Sequence, residues 1–235
     1  MDSLKSYDEW HASMEIDYDA DTPWHIFFRD NESSMDFTNT RILEIGCGRG
    51  GFANYFLSKY SNTISSYNAV DYSTEAVRKG REYIGNRYTN VTIETGDIQN
   101  IHFGDNTFDF VFSFETIEHV PSPDKAVSEL NRVLKKTGKL VLTTPNYLGF
   151  FGLYRVYLRL KGRRWTEAGQ PINKFVLMPR TIYWLRKAGF HVLRSDSQII
   201  SCPSPFSSKV INFNWINPRF IFKWFGLQSF FIAEK

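Results

Sequence analysis

The chain has 235 residues, of which 42% are apolar and 23% are charged, and its formal net charge at pH 7 is +3. A chain of this length and apolar content can bury one substantial α/β core, and we interpret it as a single domain. No uninterrupted apolar run reaches the roughly 20 residues that a membrane-spanning helix requires, so none is expected.

The charge is distributed unevenly along the chain. Residues 1–147 hold 14 Lys and Arg against 22 Asp and Glu, whereas residues 148–235 hold 14 against 3. The C-terminal part is therefore basic as well as aromatic, which indicates an anionic partner such as lipid headgroups or a phosphorylated substrate. A solvated basic face explains the same pattern equally well.

The N-terminus and the cysteines bear on the cellular compartment. The first ten residues, MDSLKSYDEW, lack the basic start and apolar run of a signal peptide. Cys47 and Cys202 are the only cysteines, and Cys47 lies in a glycine-rich turn, so a structural disulfide is not expected. We therefore expect a cytoplasmic protein, with peripheral membrane contact as an additional option.

Residues 1–40 are predicted to cover the core. Thr22 followed by Pro23 is typical of a helix N-cap, and the helix would continue through Phe28. Four side chains of this segment are candidates for lining a substrate pocket, namely Trp10, His11, Trp24 and His25. We expect the tryptophans to pack over the core instead, and the histidines to be surface or packing residues rather than catalysts.

A short apolar run followed by a glycine-rich turn occupies residues 41–52, RILEIGCGRGGF. This pattern predicts a buried strand, a tight turn and a helix, a geometry that lets backbone N–H groups face a ligand. Gly46, Gly48 and Gly50 tolerate positive φ and let the main chain lie directly against that ligand. Glu44 can accept hydrogen bonds or hold the loop.

The glycine spacing separates this turn from two other nucleotide-binding loops. It is G-x-G-x-G, whereas a dinucleotide fingerprint needs G-x-G-x-x-G. No Gly-Lys-Ser/Thr follows, so the turn is not a P-loop. A glycine-rich turn that binds nothing remains the alternative.

The next two predicted strands also end in acids. Residues 67–70 lead to Asp71, 25 residues after Gly46, which is the spacing of one βαβ unit. An acid at the end of a second strand can accept hydrogen bonds from both ribose hydroxyls. Residues 91–95 precede Gly96, Asp97 and Ile98, where Asp97 is either a ligand-binding acid or a turn residue.

The remaining elements complete an α/β pattern. A fourth strand over 108–114 is followed by ETIEHV, and a helix capped by Ser122 and Pro123 has Val127, Leu130 and Leu134 on one face and ends at Gly138. The later elements are a strand over 139–143, a helix over 181–188, a strand from 190 to about 196, and a last strand over 230–233. This order predicts a Rossmann-like, doubly wound, mainly parallel seven-stranded sheet whose last strand is antiparallel, with a helical lid.

The lid is predicted over residues 150–164, FFGLYRVYLRLKGRR, with Phe151, Tyr154 and Leu158 on one side and Arg155 and Arg159 on another. Such a helix either lies at a membrane interface or over a lipophilic acceptor, or packs on the core. Residues 210–226 again combine aromatic and basic side chains, which also describes nucleic-acid surfaces. We rank a lipophilic or anionic small molecule above nucleic acid because no RNA-binding module is recognisable.

From about Arg41 to Asn146 the chain resembles the class I S-adenosylmethionine-dependent methyltransferases. The resemblance rests on E-x-G-C-G-x-G, on Asp71 and Asp97, and on FETIEHVPSPDKAVSELNRVLKKTGKLVLTTPN, which is most similar to the ubiquinone-type O-methyltransferases. It implies S-adenosylmethionine as cofactor. The implied cofactor contacts are Glu44, Gly46, Cys47, Gly48, Asp71, Tyr72, Asp97, Ile98 and Phe114.

Within this set, the resemblance implies separate roles. Gly46 and Gly48 would approach the methionine part, and Asp71 would bind the ribose. Asp97 and Ile98 would hold the adenine, while Phe114 would make main-chain contacts near the sulfonium.

Methyl transfer from a sulfonium is an in-line displacement, so much of the catalysis can come from alignment. A hydroxyl acceptor must also lose a proton, which makes Glu115, Glu118 and His119 the candidate catalytic residues. At i, i+3 and i+4 they converge if the turn is helical, and they would then bind Mg²⁺ or another divalent cation. Alternatively, His119 is a metal-free base or only a conformational residue.

The E-x-x-E-H pattern resembles the divalent-metal site of the ubiquinone enzymes and of the small-RNA 3′-terminal 2′-O-methyltransferases. Asn173 stands where the RNA enzymes have another histidine. The sequence therefore predicts an O-methyltransferase of a small lipophilic or anionic acceptor. N- or C-methylation, 2′-O-methylation of RNA and a non-catalytic binding module remain alternatives.

We accordingly divide the predicted domain into four parts. Residues 1–40 form the cover and residues 41–146 the cofactor-binding core. Residues 147–180 form the lid or substrate insertion, and residues 181–235 form the C-terminal strands with their aromatic, basic insertion.

Overall fold

A computed structural model describes residues 3–15, 21–163, 169–198, 201–203, 210–212 and 224–235. The helices are α1 (Ser3–Ser13), α2 (Pro23–Glu32), α3 (Gly51–Tyr60), α4 (Thr74–Ile84), α5 (Pro123–Val133), α6 (Phe150–Leu160) and α7 (Met178–Lys187). The strands are β1 (Arg41–Ile45), β2 (Ser66–Asp71), β3 (Val91–Thr95), β4 (Phe108–Phe114), β5 (Leu134–Pro145), β6 (His191–Gln198), β7 (Ser201–Pro203), β8 (Val210–Asn212) and β9 (Gln228–Glu234).

Seven strands form one sheet in the order β3-β2-β1-β4-β5-β9-β6. Strand β9 is antiparallel to both of its neighbours, and the other pairings are parallel. The predicted doubly wound sheet with an antiparallel last strand is thereby confirmed. Strand β1 lies between β2 and β4, so the chain adds β2 and β3 on one side of β1 and then crosses to add β4 and β5 on the other. Such a switch point in the strand order leaves a crevice at the carboxyl ends of the strands.

Both faces of the sheet are buried, which explains the nearly continuous apolar runs of β1 and β4. Successive residues of a strand point to opposite faces, so Ile42 and Leu43 belong to different hydrophobic clusters. One cluster includes side chains from α2, α3 and α4, and the other includes side chains from α5 and α7. These two helical layers hold the strand ends in a fixed arrangement.

The end of α5 differs from the prediction. The helix stops at Val133 and β5 begins at Leu134, which was predicted to lie on the helical face that ended at Gly138. Leu134 instead pairs with Phe108 of β4, and Thr137 takes a φ of 65° within the strand. The tertiary strand pairing has overridden a helical spacing that was compatible with either structure.

The C-terminal region contains a feature that was not predicted, a two-stranded antiparallel ladder of β7 and β8. Helix α6 ends at Leu160, and Arg164 lies outside the described residues. The aromatic and basic stretch predicted over 210–226 falls outside them for residues 213–223. Among the residues that are described, no helix combines the length and hydropathy required to cross a membrane.

We expect Leu57→Ala to lower the free energy of unfolding by about 2–5 kcal/mol, because this fully buried side chain of α3 would leave a cavity in the core. Urea denaturation measures the change. As a matched control, Leu153→Ala on α6 removes a side chain that is 70% exposed. That control should change the free energy by less than about 0.5 kcal/mol. Equal losses in the two variants would contradict the assigned packing.

Candidate active site

A cavity of about 340 Å³ opens where β1, β2, β3 and β4 end. This volume lies at the lower end of the range for small-molecule pockets, about 300–1,000 Å³. The cavity lies at the switch point of the sheet, and α1, α2 and the segment 170–172 contribute to its walls. All nine predicted cofactor contacts line it, namely Glu44, Gly46, Cys47, Gly48, Asp71, Tyr72, Asp97, Ile98 and Phe114.

The glycine-rich turn is shaped by a close neighbour. Gly46 has a φ of 80°, and a Cβ there would lie 2.1 Å from Thr116 Oγ1. Gly48 also has a positive φ, of 53°. A side chain at Gly46 would thus collide with Thr116 even if the backbone strain were tolerated. Thr116 had no predicted role, although it stands inside the run that indicated the catalytic turn.

The expectation that the N–H groups of this turn face a ligand was wrong for three of them. Gly46 and Cys47 both donate to the Val70 carbonyl, at 2.7 and 3.1 Å, and Gly48 donates to Asp71 Oδ2 at 2.8 Å. These bonds bind the turn to the end of β2. What the turn offers a ligand is therefore a main-chain surface without side chains.

Asp71 is 8% exposed and lies on the cavity wall. Its Oδ2 accepts the hydrogen bond from Gly48, and its Oδ1 accepts one from the backbone N–H of Ser73 at 2.9 Å. A carboxylate offers about four acceptor positions, so these two bonds leave capacity for ligand hydroxyls.

Glu44 lies beneath the turn and is 3% exposed. The Tyr67 hydroxyl donates to its Oε2 at 2.6 Å, which agrees with the predicted acceptor role. Burial raises the pKa of Glu44 to about 8, and the charge of Asp71 contributes to the rise. The Glu44 carboxyl is consequently mostly protonated at pH 7.

Asp97 makes the contact of a turn residue and also lies at the cavity wall. Its Oδ1 accepts a hydrogen bond from the backbone N–H of Gln99 at 2.8 Å, as a turn residue does. Asp97 also lines the cavity beside Ile98, which is 4% exposed. The turn contact therefore fixes the carboxylate at the cavity wall.

The three candidate catalytic residues occupy different positions. Glu115 and His119 line the cavity, whereas Glu118 is fully buried and does not. Glu118 Oε2 accepts a hydrogen bond from the Thr144 hydroxyl at 3.1 Å, and its Oε1 lies 3.5 Å from His119 Nε2. Glu118 is thus separated from the cavity, with one carboxyl oxygen close to His119.

A hydrogen bond determines the tautomer of His119, and burial determines its charge. His119 Nδ1 lies 2.7 Å from the Ile172 carbonyl, which can only accept, so Nδ1 carries the proton and donates it. Burial lowers the pKa of His119 to about 4, so the ring is neutral at pH 7. The unprotonated nitrogen is therefore Nε2, the atom next to Glu118.

The predicted three-ligand metal site is not assembled in the described part of the chain. The helical turn spans only Ile117–His119, and Glu115 precedes it with a φ of 48°. No three His, Cys, Asp or Glu side chains among the described residues lie close enough together to hold a metal ion. Asn173, at the position of the additional histidine of the RNA enzymes, accepts a hydrogen bond from Arg155 instead.

Helix α1 covers the cavity; the sequence predicted a cover over residues 1–40, but not this helix. The Tyr7 hydroxyl donates to the His119 carbonyl at 2.8 Å, and His11 Nε2 lies 4.0 Å from Asp71 Oδ1. Burial lowers the pKa of His11. The four side chains proposed as pocket candidates all line the cavity, namely Trp10, His11, Trp24 and His25. Both histidines are buried rather than at the surface, and His25 packs on Phe52 and Tyr55, as the packing alternative expects.

Two charged residues fix α1 against α4. Asp8 accepts hydrogen bonds from the Ser73 hydroxyl at 2.6 Å and from the Glu75 N–H at 3.1 Å, and so lies at the N-terminus of α4. Lys79 donates to the carbonyls of His11 and Met14, at 2.8 and 2.7 Å. Each charge thus lies at the helix end where the dipole favours its sign.

Comparison with known proteins identifies the domain. Residues 43–142 match the family model described as a methyltransferase domain. The chain is 25% identical over 166 residues to sterol 24-C-methyltransferase erg6 of Aspergillus fumigatus, covering 66% of this chain and 41% of that protein. It is 25% identical over 115 residues to ubiquinone biosynthesis O-methyltransferase of Coxiella burnetii, covering 49% and 47%.

A third relative is glycine/sarcosine/dimethylglycine N-methyltransferase of Actinopolyspora halophila, 28% identical over 106 residues, covering 45% of this chain and 19% of that protein. The matched regions span less than half the length of these three relatives. The fold resembles a putative methyltransferase from Bacillus halodurans, with a TM-score of 0.63, 20% identity, and coverage of 84% of this chain and 93% of that one.

Replacing Gly46 by alanine should weaken binding of S-adenosylhomocysteine by about tenfold or more, because the added Cβ would push Thr116 and the turn into the cavity. Gly85→Ala is the matched control, since Gly85 also has a positive φ, of 61°, but its Cβ would meet nothing within 4 Å. Calorimetric titration should show unchanged affinity for the control. A similar loss in both variants would mean that strain, not the shape of the turn, is responsible.

The buried His119 should make the protein less stable in acid. Because the pKa falls from 6.5 to about 4 on folding, only the unfolded chain takes up this proton as the pH drops below 6.5. The stabilisation is present above pH 6.5 and about 3 kcal/mol of it is lost by pH 4. His119→Asn keeps a donor for Ile172 and does not titrate. Urea unfolding from pH 7 to pH 4 should therefore show a shallower decline for the variant, and parallel profiles would refute the assignment.

Proposed function

We propose that this chain, a class I S-adenosylmethionine-dependent methyltransferase, methylates a hydroxyl oxygen of a small lipophilic or anionic acceptor. One observation carries the choice of oxygen. A neutral His119, backed by the buried Glu118, stands on the wall of the same cavity as the nine candidate cofactor contacts. A hydroxyl group needs such a proton acceptor when it is methylated.

The cavity fits the cofactor in two respects. Gly46 presents main chain where a Cβ has no space, and Asp71 keeps acceptor capacity for the two ribose hydroxyls. In this proposal Gly46 and Gly48 lie against the methionine part, and Asp97 and Ile98 hold the adenine. When bound, S-adenosylmethionine supplies an electrophilic methyl group on a sulfonium.

In this proposal the cavity wall near the ends of β1 and β4 packs against the methyl donor, S-adenosylmethionine. Phe114, 8% exposed, packs on Phe52 with ring centroids 4.4 Å apart. Glu44, Cys47 and Tyr72 complete the proposed set of cofactor contacts. Alignment of donor and acceptor by such a rigid wall contributes to catalysis by reducing the entropy lost in reaching the transition state.

His119 is the proposed proton acceptor. Its Nδ1–H is committed to the Ile172 carbonyl, so Nε2 is the nitrogen that can take a proton from the acceptor hydroxyl. Glu118 Oε1, 3.5 Å away, would then stabilise the imidazolium, and Thr144 keeps that carboxylate in place. Glu118 is therefore a positioning residue in this proposal, because it does not reach the cavity. Glu115 lines the cavity and is the second candidate for acceptor contact.

The character of the acceptor is inferred from the surroundings. Tyr7, Trp10 and Trp24 give the cavity an aromatic wall, which suits a lipophilic acceptor. Residues 148–235 hold 14 basic residues against 3 acidic ones, which suits an anionic acceptor. Contact with an anionic membrane and a cytoplasmic location belong to the same proposal. By their names, the relatives act on carbon, nitrogen and oxygen, so the choice of oxygen rests on His119 and Glu118.

Assistance by Mg²⁺ stays a prediction. A calorimetric Mg²⁺ titration of the parent protein, repeated with Glu118→Gln, tests it directly. Saturable binding that is lost in the variant would support a metal at this turn, and equal heats in both proteins would contradict it.

We expect His119→Asn to reduce kcat for a hydroxyl acceptor by about 10²–10⁴-fold, because general-base catalysis contributes that much. Its affinity for S-adenosylhomocysteine should remain near that of the parent. Asp71→Asn should show the reverse pattern, with weakened cofactor affinity. Transfer of labelled methyl groups to a panel of phenols, sugars and isoprenoid alcohols measures kcat, and mass spectrometry locates the new methyl group.

His191→Asn is the control for this experiment, because His191 is exposed at the start of β6. It should leave both quantities unchanged. Full activity of His119→Asn, or a product methylated on nitrogen or carbon, would contradict the proposed reaction.

A further inference from the structure

Helix α6 carries an apolar stripe on its solvent-facing side. Leu153, Val156, Tyr157 and Leu160 are 70%, 47%, 53% and 82% exposed. Their spacing of i, i+3, i+4 and i+7 places them on one face of the helix. Leu158, which points elsewhere, is only half-buried against the protein. The four side chains are therefore neighbours in one stripe rather than scattered apolar residues, and contiguous exposed apolar patches are typical of interaction sites.

Basic side chains border this stripe. On a helical projection Arg159 lies on one flank and Lys161 on the other, and Arg163 follows the helix; all three residues are exposed. From residue 147 to residue 163 the chain has four basic residues and no acid. Three of the four, Arg155, Arg159 and Arg163, line an open groove of about 640 Å³ beside the helix.

Arg155 differs from the other three cations because it holds the helix in place. Its guanidinium donates to Asn173 Oδ1 at 2.7 Å and to the Asn173 carbonyl at 2.6 Å. It also lies 4.5 Å from the centre of the Tyr147 ring. Arg155 thus fixes the orientation of α6, so that the apolar stripe points away from the protein.

We propose that this face of α6 docks on the surface of an anionic phospholipid bilayer. The stripe would enter the boundary between headgroups and acyl chains, while the flanking cations would bind lipid phosphates. The positive charge of the flanking residues favours an anionic membrane over a second copy of the chain. A second copy of the chain would bring like charges together along both flanks, whereas an anionic surface neutralises all of them.

Helix α6 is connected to the cavity wall on the side opposite its apolar stripe. Arg155 of α6 bonds to Asn173, and the adjoining Ile172 lines the cavity and accepts the hydrogen bond from His119. The N–H of Lys174 donates to the Glu118 carbonyl at 2.8 Å. One short segment therefore connects α6 with the proposed proton acceptor. The inference rests on the proposed function for the purpose of docking, which is to bring the enzyme to a lipophilic acceptor.

Flotation of the full chain with vesicles tests this inference. The parent should bind vesicles of equal parts phosphatidylcholine and phosphatidylglycerol at low salt, and release them as the salt concentration rises. Leu153→Ser/Leu160→Ser and Arg159→Glu/Arg163→Glu should each weaken binding by about tenfold or more, because each removes one of the two attractions. Vesicles of phosphatidylcholine alone should bind weakly.

Two matched controls distinguish this face from general surface properties. Leu193→Ser removes a side chain that is 49% exposed on β6, and Arg186→Glu/Lys187→Glu reverses two exposed charges on α7. Both should bind vesicles as the parent does. No binding by the parent, or equal loss in the controls, would overturn the proposal. Binding of inorganic pyrophosphate without vesicle binding would also overturn it, and would assign the groove to a free phosphate group.

The affinity for S-adenosylhomocysteine separates this proposal from the proposed function. Variants that lose vesicle binding but keep this affinity are folded, and that result supports the assignment of the surface. Vesicle binding by a parent protein that transfers no methyl group would support docking while contradicting the proposed reaction. Methyl transfer by a parent protein that does not bind vesicles would overturn the docking proposal and leave the proposed reaction standing.

Discussion

The position of the glycine-rich turn depends on one acceptor, the carbonyl of Val70 at the end of β2. It receives hydrogen bonds from both Gly46 and Cys47, which join the turn to the neighbouring strand immediately after the parallel ladder of β1 and β2 ends. This contact places the N–H of Gly48 beside the carboxylate of Asp71. A side chain at Gly46 would collide with Thr116, which occupies the adjacent space. Strand register, backbone hydrogen bonding and the absence of one Cβ thus act together to shape the cavity.

The other half of the cavity is assembled from segments far apart in sequence. His119 follows β4, yet the carbonyl that sets its tautomer belongs to Ile172, after α6. Helix α1 lies over the cavity and contacts the His119 carbonyl through Tyr7. Hydrogen bonds therefore connect both α1 and α6 with the segments that hold the proposed proton acceptor.

The central strands and the cofactor side of the cavity could be predicted from the sequence, because local signals determine them. Apolar runs define β1 and β4, and glycines or acids follow β1, β2 and β3. The rest depends on contacts that no local pattern encodes. The position of α1 follows from two hydrogen bonds between residues 65 positions apart. Asp8 of α1 accepts one from Ser73 before α4, and Lys79 of α4 donates the other to the Met14 carbonyl after α1. Spacing showed Glu118 and His119 as neighbours, but not that only His119 reaches the cavity.

A crystal structure of the complex with S-adenosylhomocysteine tests the central claim most directly. The claim is that the cavity at the ends of β1 to β4 is the cofactor site. The ribose hydroxyls should lie within hydrogen-bonding distance of Asp71, the adenine should contact Asp97 and Ile98, and the sulfur should lie near Phe114. Electron density for the ligand at another place, or a ribose turned away from Asp71, would contradict the account.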